Sequence, residues 1–118
     1  MKLNDHIRRQ MAFSKATFGP GDRQEGVVDH IRRELDEVIE GENDPKEWVD
    51  LVLLSLDGLW RSIQYNKHFH DCIAKWEDMP EECTKMIQEK QSKNEQRDWP
   101  DWRNADPKKA INHDRSKD

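Results

Sequence analysis

Apolar positions recur every three to four residues over most of this chain, and no stretch keeps the period of two that a half-buried strand needs. The spacing predicts a first helix over about Leu3–Thr17, with Ile7, Met11 and Ala12 on one side. Phe18-Gly19-Pro20-Gly21 is a strong breaker and should end it. A second helix is predicted from about Gln24 to Glu40, where Val28, Ile31, Leu35 and Val38 make an amphipathic stripe. Gly41-Glu42-Asn43-Asp44-Pro45 closes it and opens a third, Asp44 being a good N-cap residue and Pro45 suiting the first helical position. That third helix, about Pro45–Tyr65, is the most apolar segment. Trp48, Val49, Val52, Leu56, Leu59, Trp60 and Ile63 form a broad stripe, which Leu51 and Leu54 carry further round. Burial on most of its circumference is the expectation. Asp50 and Asp57, one heptad apart on it, are therefore out of place.

A polar connection, Asn66–Pro80, follows and carries His68, His70 and Trp76. A fourth helix is predicted from near Met79 to about Arg97. Beyond Trp99-Pro100-Asp101-Trp102 the chain is charged, and past about Asn104 it should be extended or mobile unless it packs on a partner. The reading is all-α: one four-helix, bundle-like domain over residues 1–104 and a polar tail over 105–118. No internal repeat is present.

Composition alters this picture in one respect. With 118 residues there is room for one domain, but only 33% are hydrophobic and 38% are charged, so either part of the chain is not packed or the core is completed by another subunit. The net charge of −5 argues against a nucleic-acid binder that works by general phosphate attraction. Cys72 and Cys83 form no CxxC pattern and read as reduced thiols. MKLNDHIRRQ lacks the apolar run of a signal peptide, and Val49–Leu56 is too short to span a membrane. A cytoplasmic protein with no membrane partner is the expectation.

The candidate chemistry lies in two acidic pairs, Glu34-x-x-Glu37 and Glu47-x-x-Asp50, with nine residues between Glu37 and Glu47. Residues i and i+3 share a helix face, so two antiparallel helices can bring four carboxylates to one point. A solvated acidic face explains Glu34 and Glu37 taken alone, with Arg32 and Arg33 nearby. The second pair, on a helix that calls for burial, favours a hard divalent cation with oxygen ligands. Asp57 is either a further ligand or a structural acceptor. On the fourth helix, Lys90, Asn94 and Arg97 share a face, with Lys93 beside them. Cations and an amide there suit phosphate oxygens, while salt bridges to Glu89 or Glu95 are the plainer explanation. Asp22 and Arg23 follow a glycine loop too short to count as a phosphate cradle.

These residues resemble the all-α nucleoside triphosphate pyrophosphohydrolases of the MazG-like superfamily, whose motif is E-x-x-E, a spacer, then E-x-x-D. The segments TFGPGDRQEGVVDHIRRELDEV, EWVDLVLLSLDG and KQSKNEQRDWPDWR are similar to the dATP/dGTP pyrophosphohydrolase branch, which includes phage MazZ-type enzymes. The resemblance covers about Phe13 to Trp102 in these three blocks, and the long Asn66–Pro80 connection departs from the pattern. The resemblance implies a four-helix, homodimeric or homotetrameric enzyme with two or more Mg²⁺ ions per site, Mn²⁺ substituting. It would cleave a purine (d)NTP, dGTP or dATP, to the monophosphate and pyrophosphate. Glu34, Glu37, Glu47 and Asp50 would be the metal ligands, and Lys90, Lys93, Asn94 and Arg97 the phosphate-binding end.

Water lowered in pKa by the metal would then attack the α-phosphorus, oriented by Glu34 or Glu37. Gln10, Phe13, Ser14, Phe18 and Asp57 are the candidates for base or sugar contact, with ordinary core packing an equal explanation for the two phenylalanines. Trp99 and Trp102 either shield the site or pack the tail. The five histidines, His6, His30, His68, His70 and His113, show no convincing ligand spacing. The rival functions are a non-catalytic helical interaction module and a pyrimidine dNTP pyrophosphatase of the same superfamily.

Overall fold

The computed structural model of the chain describes residues 2–65 and 75–116. It has four α-helices: α1 (Leu3–Phe18), α2 (Gln24–Glu40), α3 (Pro45–Tyr65) and α4 (Met79–Gln96). Single 3₁₀ turns stand at Trp76–Asp78 and Trp102–Asn104, and the described residues include no strand. His68, His70 and Cys72 lie outside the described residues, so the expectations placed on them are not addressed. The chain forms two compact units, Met1–Thr84 and Lys85–Asp118, which are described in turn.

In the first unit, α2 and α3 pack along each other and α1 packs on α3. The α2–α3 pair is an antiparallel hairpin. At one end a Cβ on Gly58 would lie 3.5 Å from Val27, and at the other Glu34 and Glu37 approach Glu47. The connecting turn is built by its own residues. Asp44 accepts from the Lys46 amide at 2.9 Å, capping α3 as its side chain predicts. Glu42 and Asn43 adopt left-handed backbone conformations (φ 53° and 68°), and Asn43 Oδ1 takes the Trp48 indole N–H at 3.1 Å.

Ile7, Met11, Val27, Trp60, Ile63, Met79 and Cys83 form the core, each large side chain contributing about 1.5–3 kcal/mol by leaving water. Asn4 and Thr84, joined by a hydrogen bond, and Arg8 and Glu81, 3.1 Å apart, tie the start of α4 to α1.

Three expectations fail here. Ala12 is exposed, and Ser14 takes the buried position on α1 beside Ile7 and Met11. The stripe of α2 fails at Leu35, which is exposed, while Val28, Ile31 and Val38 are half-buried and Val27 beside them is buried. The third failure concerns α3, which is not buried on most of its circumference. Its buried residues, Asp57, Trp60, Arg61 and Ile63, all lie in its C-terminal half. Trp48, Val49 and Val52 are exposed, and so is Asp50.

In the second unit, the C-terminal part of α4 leads into a tail that is not simply extended. The Asp114 amide donates to Asp98 O at 2.8 Å, and the rings of Trp99 and His113 meet edge to face at 5.4 Å. Trp99 also donates its indole N–H to Asn94 O at 2.7 Å. Trp99 thus packs the tail, as one of its two expected roles has it, whereas Trp102 is exposed and carries Arg103 over its ring.

Candidate metal and nucleotide site

The α2–α3 hairpin brings carboxylate oxygens of Glu34, Glu37 and Glu47 within 4.8 Å of one another. Glu34 and Glu37 reach this point from one face of α2 and Glu47 from the first turn of α3. Gly41 makes room for them: a Cβ there would stand 3.1 Å from Glu47 Cγ and 2.9 Å from Glu37 O. Glu34 is 9% exposed, Glu47 is half-buried and Glu37 faces solvent.

The electrostatics are those of an uncompensated cluster. Loss of water is the largest cause raising the Glu34 pKa above 4.5. A hydrogen bond with Glu37 adds to it, as do the charges of Glu37, Asp50 and Glu47. Glu47 is raised as well, again first by loss of water, then by the charges of Glu37, Asp50 and Asp44. Glu34 Oε2 and Glu47 Oε2 are buried and take no hydrogen bond from any described residue. The nearest cationic group on α2 is His30, whose Nε2 stands 3.6 Å from Glu34 Oε1 and is charged only when the ring is protonated. Converging carboxylates with orphaned oxygens fit a hard divalent cation, which prefers oxygen donors and relieves like-charge repulsion.

Asp50 is not one of the three mutually close residues. Its charge nonetheless acts on both Glu34 and Glu47, and it lines the adjoining cavity. The expectation that Asp50 is buried is corrected, because the half of α3 that carries it is open.

Next to the cluster is a cavity of about 250 Å³ between α1, α2 and α3. Gln10, Phe13, Ser14 and Phe18 line it from α1 and its end, His30 and Glu34 from α2, and Asp50, Leu53, Leu54 and Asp57 from α3. All five residues singled out for base or sugar contact therefore share one cavity. Phe13 and Phe18 meet edge to face at 6.3 Å and form its aromatic wall. The volume lies below the roughly 300–1,000 Å³ of pockets that enclose a drug-sized ligand. It has room for a ring system the size of a nucleobase.

Deeper in, Asp57 is 6% exposed and fully engaged on one oxygen. Its Oδ1 accepts from Ser14 Oγ at 2.5 Å, Trp60 Nε1 at 2.8 Å and Arg61 Nε at 3.3 Å. Arg61, 2% exposed, also donates from Nη2 to Ser14 Oγ at 2.8 Å and from Nη1 to Gly21 O at 2.9 Å. Of the two roles left open for Asp57, structural acceptor is the one its contacts show. The sequence reading missed Arg61, although its i, i+4 spacing from Asp57 was visible. It also passed over His30, whose i, i+4 spacing to Glu34 was equally visible.

On α4, Lys90 and Lys93 are exposed, while Arg97 donates from Nη1 to Asn94 Oδ1 at 2.9 Å. Arg97 Nε is buried and donates to no described residue.

An all-α chain whose helical hairpin carries such a carboxylate cluster beside a base-sized cavity has the build of a metal-assisted nucleotide hydrolase. The family model of dATP/dGTP pyrophosphohydrolase matches residues 6–118, and the chain belongs to that family of hydrolases acting on nucleoside triphosphates. No curated protein and no solved structure shows significant similarity to it. No helix among the described residues is long and apolar enough to cross a membrane.

Proposed function

We propose that this protein converts a purine deoxynucleoside triphosphate, dGTP or dATP, to the monophosphate and pyrophosphate with Mg²⁺, or Mn²⁺ in its place. The observation that carries this reading is the convergence of Glu34, Glu37 and Glu47, two of them with buried orphan oxygens, at the mouth of a base-sized cavity. Glu34, Glu37 and Glu47 would hold the ions with Asp50 at the edge. Two or more ions bound there supply Lewis-acid polarisation of phosphate oxygens and a water of lowered pKa.

The chain's own residues do the rest. Phe13 and Phe18 wall the base. Glu37, the solvent-facing carboxylate, is the one a water reaches, and it or Glu34 orients that water toward the α-phosphorus. Lys90, Lys93, Asn94 and Arg97 are assigned to the departing pyrophosphate, a role that fits the buried, unpartnered Nε of Arg97. We also assign a second copy of the chain to the apolar side chains that α2 and α3 leave exposed, namely Leu35, Ile39, Trp48, Val49 and Val52. Sedimentation should give a dimer or tetramer, and a monomeric mass contradicts this part.

The activity is tested by incubating the protein with each dNTP and Mg²⁺ in H₂¹⁸O. Pyrophosphate release from a purine nucleotide, with ¹⁸O found only in the monophosphate, is expected. Orthophosphate release, or label in pyrophosphate, rules out attack at the α-phosphorus. Preference for dCTP or dTTP would establish the pyrimidine reading instead.

A further inference from the structure

The cavity presents two polar groups whose hydrogen-bonding sense is fixed by their surroundings. Gln10 Nε2 donates to the Leu53 carbonyl at 2.5 Å, and a carbonyl can only accept. The amide orientation is thereby set, so Gln10 Oε1 accepts from His6 Nε2 at 2.9 Å. Gln10 is left with one further Nε2 hydrogen and no freedom to flip. On the other side, Ser14, Trp60 and Arg61 all donate to Asp57 Oδ1, and none of the described hydrogen bonds falls on Oδ2. Asp57, which lines the cavity, is therefore held by three donors through Oδ1, and Oδ2 is its remaining acceptor. Gln10 and Ser14 are one helical turn apart on α1, and Ser14 is bonded to Asp57. The free donor and the free acceptor therefore belong to neighbouring residues of the cavity lining, Gln10 standing one turn from the Ser14 that holds Asp57.

We propose that Gln10 and Asp57 form a fixed donor–acceptor pair that reads the edge of the purine base. It selects rings bearing an N–H donor beside an acceptor. This deepens the proposed function and rests on it. Guanine offers O6 to Gln10 and N1–H or the N2 amino group to Asp57. Adenine offers its N6 amino group to Asp57 and a ring nitrogen to Gln10, in a different register. An unsubstituted purine ring has acceptors only, and would set its lone pairs against Asp57 Oδ2. Sites built to hydrogen-bond a substrate group reject analogues lacking it strongly, because buried polar atoms are left unpaired. Ser14, Trp60 and Arg61 are positioning residues in this scheme, since all three act through Asp57.

The test uses the unmodified protein with Mg²⁺ and four substrates: dGTP, dATP, dITP and the deoxynucleoside triphosphate of unsubstituted purine. The unsubstituted purine is expected to fall at least about 100-fold below the better of dGTP and dATP in kcat/KM. Hypoxanthine, which keeps N1–H and O6, should stay within about tenfold of dGTP. In Gln10→Ala, kcat/KM for the preferred base should fall about tenfold or more, while the value for unsubstituted purine changes little, so that discrimination narrows. Mn²⁺ affinity should stay unchanged in that variant. Turnover of the unsubstituted purine within threefold of dGTP and dATP overturns the pair as a reader and leaves the hydrolase reading standing. Unchanged discrimination in Gln10→Ala does the same. No turnover of any of the four overturns the hydrolase reading, and this inference with it.

Discussion

Two acidic sites lie within the same helical hairpin and its neighbour, and they are opposites. Asp57 is buried with Arg61, Ser14 and Trp60 all donating to it. Glu34 is almost as buried, yet its neighbours are Glu37, Glu47 and Asp50, and one of its oxygens takes no described hydrogen bond. The first carboxylate is already compensated by the fold and calls for no cation. The second is left uncompensated by it, which is what a site for a cationic ligand requires. Burial of an acid therefore says little about its role until its partners are counted.

Substitution should separate the two sites by readout. In the cluster, Glu37→Gln and Asp50→Asn should each lower turnover by about a thousandfold or more with helix content intact. Thermal stability without metal should hold or rise, because like-charge repulsion is relieved. Activity equal to the parent in either variant removes that residue from the metal site. Asp57→Asn should behave the other way, costing about 3–5 kcal/mol in denaturant unfolding because Arg61 stays buried without its counter-charge. A loss under 1 kcal/mol in that experiment would show that the Asp57 network is not a structural element.

Acidity sharpens the same contrast. Glu34 and Glu47 titrate near 4.5 when unfolded and above it when folded. Between those values the folded chain binds more protons, so its stability falls as pH rises through that window. The penalty is absent below about 4.5 and full above the raised values, where a divalent cation removes it. The upward shift of Tm on adding Mn²⁺ should thus be largest near neutral pH and shrink toward pH 4.5. A Tm shift that does not depend on pH would count against the cluster as the binding site. Smallest of these effects, Gly41→Ala should crowd Glu47 and lower Mn²⁺ affinity by about tenfold, with some loss of fold stability because the same Cβ meets the Glu37 carbonyl.

Much of this was legible along the chain, for local reasons. The bounds of α2 and α3 follow from Gly41, Asp44 and Pro45, which signal a helix end and a helix start within five residues. Helix α1 runs one residue further than predicted, through Phe18, and α4 ends at Gln96, one residue short of Arg97. The meeting of Glu34, Glu37 and Glu47 follows from i, i+3 spacing on a hairpin whose turn is too short to allow anything but antiparallel packing. What periodicity could not give is which apolar face finds a partner. It marked most of the circumference of α3 as buried, whereas the chain buries only residues in the half around Trp60 and leaves Trp48 and Val52 in the open. Asp50 was misjudged for that reason. The role of Ser14 was hidden too, because it depends on Asp57 and Arg61, which reach it only through tertiary packing.

We assign the divalent cation to the Glu34–Glu37–Glu47 cluster and not to Asp57. Calorimetric titration of the folded protein with Mn²⁺, repeated at pH 7 in buffers of different ionisation enthalpy, tests it most directly. Saturable binding with two or more ions per chain is expected, with proton release that grows when the pH is lowered toward the raised values of Glu34 and Glu47. Glu37→Gln should lose that binding, and Gln10→Ala should keep it. Absence of saturable Mn²⁺ binding in the parent protein, or undiminished binding in Glu37→Gln, contradicts the account.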